Sequence, residues 1–272
     1  MQKLGITSFY GSREADTLEE FKKVLEVFKK EGFGEVSFSV CECYRPLELT
    51  TAEIDLARKM GFTVKNIHSS YIKSNKEKIK IDELWLEEGE GDFYLNSLKK
   101  DVDTCADLKC TQMVVHINDK KYDYPTEIGL KRIEELCQYA KKKNVIVAIE
   151  NTHSEKLIYN VLEALKHLDN LMYCFDVGHM NCFETDRNFL LLTTKIDKLI
   201  CLHLHDNDTS GDQHLPLGFG NVDKDKLKQL LAQRPDVTLL SETLKAVPYM
   251  KDTITDEKQI HLIKEGLAKL QS

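Results

Sequence analysis

Short apolar or β-branched runs alternate with amphipathic stretches along the chain. The strand-like runs are Leu4 to Phe9, Glu35 to Val40, Thr63 to His68, Gln112 to His116, Val145 to Glu150, Met172 to Asp176, Leu199 to His205 and Val237 to Glu242. Between the first two, Leu18, Phe21, Val24, Leu25 and Phe28 recur at helical spacing, and Gly32 ends the pattern. A second helix is expected over Thr51 to Met60, opened by Thr50 and Thr51 with Glu53 following and closed by Gly61. Pro125 opens the fourth helical stretch, where a first-turn proline is tolerated, and Asp256 to Leu270 forms the last.

Strands alternating with helices in units of about 34 residues imply a parallel sheet with helical crossovers. Parallel strands buried on both faces read as continuous apolar runs, as Val145-Ile146-Val147-Ala148-Ile149 does. Eight such units favour a closed α/β structure, a (β/α)8 TIM barrel forming a single domain over residues 1–272. No glycine-rich phosphate loop of the GxGxxG or GxxxxGK[ST] kind interrupts it. The rhythm breaks longest between Ser69 and Asp92, where lysines at 73–80 give way to acids at 82–92; this reads as a functional lid or a solvated charge run.

Composition narrows the class. Of the 272 residues 42% are hydrophobic, enough for a sizeable core. The net charge of −7 gives no general attraction for a phosphate backbone, which argues against a nucleic-acid partner. No apolar run approaches the roughly 18 residues that cross a membrane, and the N-terminus lacks the organisation of a secretory signal, so a cytoplasmic enzyme is expected. The eight cysteines include no CxxC pair and read as reduced, buried small hydrophobes, with Cys41-Glu42-Cys43 a minor metal candidate. A homo-oligomer is compatible with all of this.

The candidate chemistry lies in position. His68, His116, Glu150, Asp176, His203 and Glu242 each end or nearly end a different expected strand. In a barrel the strand C-termini converge on one rim, so residues spread along the chain meet in one pocket. His179, Asp212 and His214 are expected on rim loops, and only His167 and His261 of the nine histidines on helices. Mixed imidazole and carboxylate ligands suit a divalent metal such as Zn²⁺ or Mn²⁺, with more than one ion conceivable, better than Mg²⁺. His205, two residues after His203, could face inward as a ligand or a substrate contact, and His153 reads as a surface or supporting group.

These residues resemble, in order, the xylose-isomerase-like barrel superfamily, which holds sugar phosphate isomerase/epimerase-like proteins and also the endonuclease IV family. The resemblance runs through Ile67-His68-Ser69-Ser70-Tyr71, Val114-Val115-His116, Ala148-Ile149-Glu150-Asn151, Phe175-Asp176-Val177-Gly178-His179, Leu202 to Asn207, Gly211 to Gly218 and Ser241-Glu242-Thr243. The epimerase-type site implies one metal on Glu150, Asp176, His203 and Glu242, with His179 at a substrate oxygen and Tyr71 and His205 as further substrate contacts. Similarity to endonuclease IV implies instead a trinuclear zinc set on His68, His116, Glu150, Asp176, His179, His203, Asp212, His214 and Glu242. Two departures bear on the choice. No arginine follows His203 where ketose epimerases hold substrate, and Leu215-Pro216-Leu217-Gly218-Phe219-Gly220 replaces the asparagine-isoleucine-glycine-glutamate-glycine run of endonuclease IV.

The preferred expectation is an isomerase or epimerase of a sugar or polyol-derived substrate. Glu150 and Glu242 would exchange a carbon-bound proton through a metal-stabilised enediolate, with His179 orienting an oxygen. A dehydratase on the same site, an abasic-site phosphodiesterase and a binding module without catalysis are the alternatives.

Overall fold

A computed structural model of the chain describes residues 2–8, 17–42, 45–73, 75–120, 122–243 and 256–271. Eight parallel strands form one sheet: β1 (Leu4–Thr7), β2 (Glu35–Ser39), β3 (Asn66–His68), β4 (Gln112–His116), β5 (Ile146–Glu150), β6 (Leu171–Asp176), β7 (Leu199–His203) and β8 (Leu239–Ser241). Their order, β7-β6-β5-β4-β3-β2-β1-β8, brings the last two strands to opposite edges. The seam between them closes just past β7, where Leu204 bridges Ser241 and Glu242 N–H donates to Leu204 O at 3.1 Å. The fold is the expected TIM barrel, and its final closure sits beside two candidate ligands.

Helices follow the strands as α1 (Leu18–Lys30), α2 (Leu47–Lys59), α3 (Gly91–Asp107), α4 (Glu127–Lys142), α5 (Glu155–Ala164), α6 (Val177–Phe183), α7 (Leu190–Thr194), α8 (Lys224–Leu231) and α9 (Asp256–Ala268). In α1, Thr17 and Glu20 form a reciprocal capping box that satisfies two backbone donors at the N-terminus. Phe21, Val24, Leu25 and Phe28 are its buried stripe, each stabilising the packed state by about 1.5–3 kcal/mol. After the helix, Gly32 takes φ +88°, a left-handed turn that costs a glycine little.

Two helix starts differ from expectation. The second helix begins a turn earlier, after Pro46, and Thr50 and Thr51 donate back to the Pro46 and Leu47 carbonyls. Glu53 does not cap it, because its buried carboxylate pairs with Arg45. Thr126 is the true cap of α4, accepting from Gly129 N–H at 3.3 Å, so Pro125 lies just outside the helix.

In its described part the stretch from Ser69 to Asp92 is anchored rather than free, although its charges at Lys76, Glu77, Lys78, Lys80, Glu87 and Glu88 are exposed as a solvated run would be. Ile79, Ile81, Leu84 and Trp85 are buried, the last three within a 3₁₀ turn at Ile81–Trp85. Trp85 packs against α4 at Gly129, where an added Cβ would lie 2.1 Å from the indole. Arg132 donates to the Glu83, Leu84 and Leu86 carbonyls and to Asp92, binding the segment to the barrel wall. Small side chains, Val114, Ala148, Cys174 and Cys201, fill a barrel layer as a compact apolar cluster.

Candidate metal centre

Each candidate ligand is delivered by a local device. Glu150 and Asp176 end β5 and β6, and Asn151 clamps those ends by donating to Asp176 O and accepting from Asp176 N–H, both at 2.8 Å. Asp176 is also the N-cap of α6, with Oδ1 accepting from His179 N–H at 2.7 Å. His179 therefore stands on a helix rather than the expected loop. His167 falls in a turn after α5 instead of on a helix. Asp212 and His214 come from a long loop after β7 held from inside by Asp206. The fully buried Asp206 accepts from the N–H groups of Asn207, Gly218 and Val222 at 2.8–3.0 Å.

That arrangement gives a stability prediction. Asp206→Ala leaves backbone donors buried without an acceptor, so unfolding free energy should fall by about 3 kcal/mol. Asp206→Asn keeps an acceptor and should lose less. Equilibrium denaturation of the two variants measures the difference.

The ligand atoms fall into three adjoining groups, the first two sharing Glu150. His68 Nε2, His116 Nε2 and Glu150 Oε2 form a triangle with sides of 3.1, 3.3 and 3.4 Å. His203 Nδ1 lies 3.3 Å from Glu150 Oε1, 3.2 Å from Glu242 Oε2 and 3.9 Å from Asp176 Oδ2. Asp212 Oδ2 is 3.4 Å from His179 Nε2 and 3.0 Å from His214 Nε2. Donors at 2.0–2.2 Å from a tetrahedral ion stand about 3.4 Å apart, so these edges fit divalent-metal sites. A second observation agrees. Both Glu150 oxygens and the Nδ1 atoms of His179 and His203 are buried without an aligned hydrogen-bond partner, a costly arrangement that a cation would offset. The residues present fit the group.

All nine expected ligands thus meet, with Glu150 shared between the first two groups. His205 joins the third, its Nε2 3.1 Å from Asp176 and 3.7 Å from Asp212. It is fully buried, stacked on His214 at 3.9 Å and not among the residues that line the cavity, so of its two expected roles the geometry fits a ligand better than a substrate contact. Tyr71 does line the cavity, stacked on His116 at 5.0 Å. His153 is half-buried against Phe183, which in turn flanks His179. Cys41 lines the cavity and Ser70 Oγ lies 3.4 Å from its sulfur; Cys43 lies outside the described residues. Sequence reasoning missed Cys174 and Cys201, whose sulfurs lie within 4.8 Å of a His203 ring nitrogen. Their apolar neighbours gave them the look of inert core. The cavity above the ligands measures about 280 Å³, with Thr7, Ser37 and Ser39 on the β1–β2 wall.

Electrostatics couple the cluster to protons. Burial disfavours the Glu150 carboxylate, yet His203, His116 and His179 outweigh it and hold the group well below its usual range. Burial likewise opposes the His203 and His179 imidazoliums, and neighbouring Cys174, Glu242, Glu150, Asp176 and Asp212 reverse that and raise both. His214, buried but bonded to Asp212 and near Glu242, is pushed up to about 9. Without metal the site therefore holds protons at neutral pH, and a cation must displace them. Raised histidines stabilise the metal-free fold below about 6.5, and that contribution disappears as pH rises through about 9. Metal affinity should run the other way, increasing over the same window with proton release. Titration calorimetry in buffers of different ionisation heat counts those protons; zero release would contradict the prediction.

The sequence pattern described as the xylose isomerase-like TIM barrel matches residues 55–270. The chain belongs to that family. The solved structure of a D-tagatose 3-epimerase-like protein superposes on it with TM-score 0.68 at 19% identity, covering 99% of this chain and 98% of that one. The IolI protein, solved with a bound zinc atom, gives TM-score 0.71 at 15% identity over 98% and 97% of the two chains. At such identities these likenesses establish the fold. An uncharacterized protein of Methanocaldococcus jannaschii is 26% identical over 52% of this chain and 57% of its own length, so the match spans little more than half of that relative. Among the described residues no helix is long and apolar enough to cross a membrane.

Proposed function

We propose that this family member is a divalent-metal-dependent isomerase or epimerase of a small sugar. The observation that carries the reading is the placement of Glu150 and Glu242. Their carboxylates approach His203 Nδ1 to 3.3 and 3.2 Å from β5 and from the end of β8, and both line the cavity. Two carboxylates reaching one site from different strands would act on opposite faces of a carbon bound between them. A cavity of about 280 Å³ lies at the small end of ligand sites and suits a monosaccharide. Hydroxyls of Thr7, Ser37 and Ser39 match a polyol.

Glu150, Asp176, His203 and Glu242 would hold the cation, which supplies Lewis-acid stabilisation of negative charge on a substrate carbonyl oxygen. One glutamate takes the proton as the C–H bond breaks, leaving the electron pair in an enediolate. The other returns a proton from the opposite face for epimerisation, or to the neighbouring carbon for aldose–ketose isomerisation. His179 orients a substrate oxygen from α6, and Tyr71 closes the cavity side wall. Zn²⁺ and Mn²⁺ both suit this mixture of nitrogen and oxygen donors.

The test is a panel of unphosphorylated and phosphorylated ketoses and aldoses followed for carbon-bound deuterium uptake from D₂O. Uptake with conversion supports the reading, and elimination of a β-hydroxyl would convert it to a dehydratase. No uptake by any panel member contradicts it.

A second reading is favoured by one observation, the presence of all three ligand groups. Three zinc ions, which these groups would hold with Glu150 contributing to two of them, would suit phosphodiester hydrolysis. About three tightly held zinc ions together with cleavage of abasic-site DNA would select that reading over the sugar reading.

A further inference from the structure

We propose that Asp101 is a positioning residue for His68, acting through the peptide unit between Ser69 and Ser70. The inference rests on the reading of His68 as a metal ligand and assigns a role to a helix residue outside the cavity wall. His68 Nδ1 lies 2.8 Å from Ser69 O. A carbonyl only accepts, so Nδ1 carries the hydrogen and the Nε2 lone pair is left facing His116 and Glu150, at 3.1 and 3.4 Å.

Ser69 C=O and Ser70 N–H are the two ends of one amide. That N–H donates to Asp101 Oδ2 at 2.9 Å, from α3 and 31 positions along the chain. An acceptor on the N–H end polarises the amide and makes its oxygen a stronger acceptor for the imidazole N–H. The chain carboxyl–amide–imidazole is thus an extended form of the carboxylate–histidine pairs that orient metal ligands, with a peptide inserted. Its flanks are fixed: Ser69 N–H donates to Val114 O at 2.9 Å, and Ser70 Oγ donates to Ile72 O at 2.9 Å. Burial pushes Asp101 up to about 7, so the acceptor oxygen, present in both protonation states, carries the effect rather than a full charge.

The test uses metal-free protein labelled with ¹⁵N-histidine, at a pH where His68 is neutral, followed by zinc titration. Wild-type His68 should show the Nδ1–H tautomer. Asp101→Asn keeps an acceptor and should retain both that tautomer and near-wild-type affinity. Asp101→Ala should mix the tautomers and weaken zinc at the His68–His116–Glu150 group by about 10- to 100-fold, with the Asp176–His203–Glu242 side unchanged. An Nε2–H tautomer in the wild type overturns the proposal even where Asp101→Ala does not fold. So does an Asp101→Ala protein identical to wild type in tautomer and affinity. If the wild type binds no divalent ion, the ligand reading fails separately and the tautomer still decides the relay.

Discussion

Glu150→Gln should lose at least one bound ion and reduce turnover by more than about 10⁴-fold. Removing a proton-transfer group alone accounts for about 10²–10⁴. Glu150 also gives one oxygen to His68 and His116, at 3.4 and 3.3 Å, and the other to His203 and His179, at 3.3 and 3.2 Å. Glutamine offers one carbonyl oxygen and an NH₂ that cannot coordinate a cation, so at most one of these groups keeps its donor. Elemental analysis alongside initial rates checks both effects. A fully metallated, active Glu150→Gln protein would remove Glu150 from the site.

Glu242→Gln should behave differently. The Glu242 carboxylate approaches His203 at 3.2 Å and is not a corner of the His68–His116–Glu150 triangle, which should stay intact. Interconversion should fall by about 10²–10⁴-fold. If the two glutamates serve opposite faces, the epimer whose proton faces Glu150 should still exchange it with D₂O without converting. Mass spectrometry of recovered substrate reads that exchange. Loss of exchange for both epimers would contradict the division of labour.

The barrel and its rim were legible in the sequence for a physical reason. Parallel strands covered on both faces must be apolar until they emerge, so a histidine or acid at the exit stands out, as at His116, Glu150 and Asp176. Elements governed by a few local bonds were harder to read. Asp176 serves as both strand end and helix cap, so the Asp-x-x-His spacing that starts α6 looked like loop. The Ser69–Asp92 segment read as a lid or a solvated run because its charges mask the buried Ile81, Leu84 and Trp85 and because Arg132, its anchor, lies 40 residues beyond Asp92. Asp101 resembles any helix-surface acid in sequence, and only the fold brings it to Ser70. Asp206 did carry a signal, an acid directly after the His203-x-His205 pair, although its three backbone partners could not be foreseen.

The proposed chemistry depends most on a cation lying among Glu150, Asp176, His203 and Glu242. Anomalous diffraction from crystals grown with zinc or manganese tests this directly. The expected result is a peak about 2.0–2.2 Å from oxygen atoms of the three carboxylates and from His203 Nδ1. Crystals with no anomalous peak among these four residues, at saturating metal and alkaline pH, would contradict it.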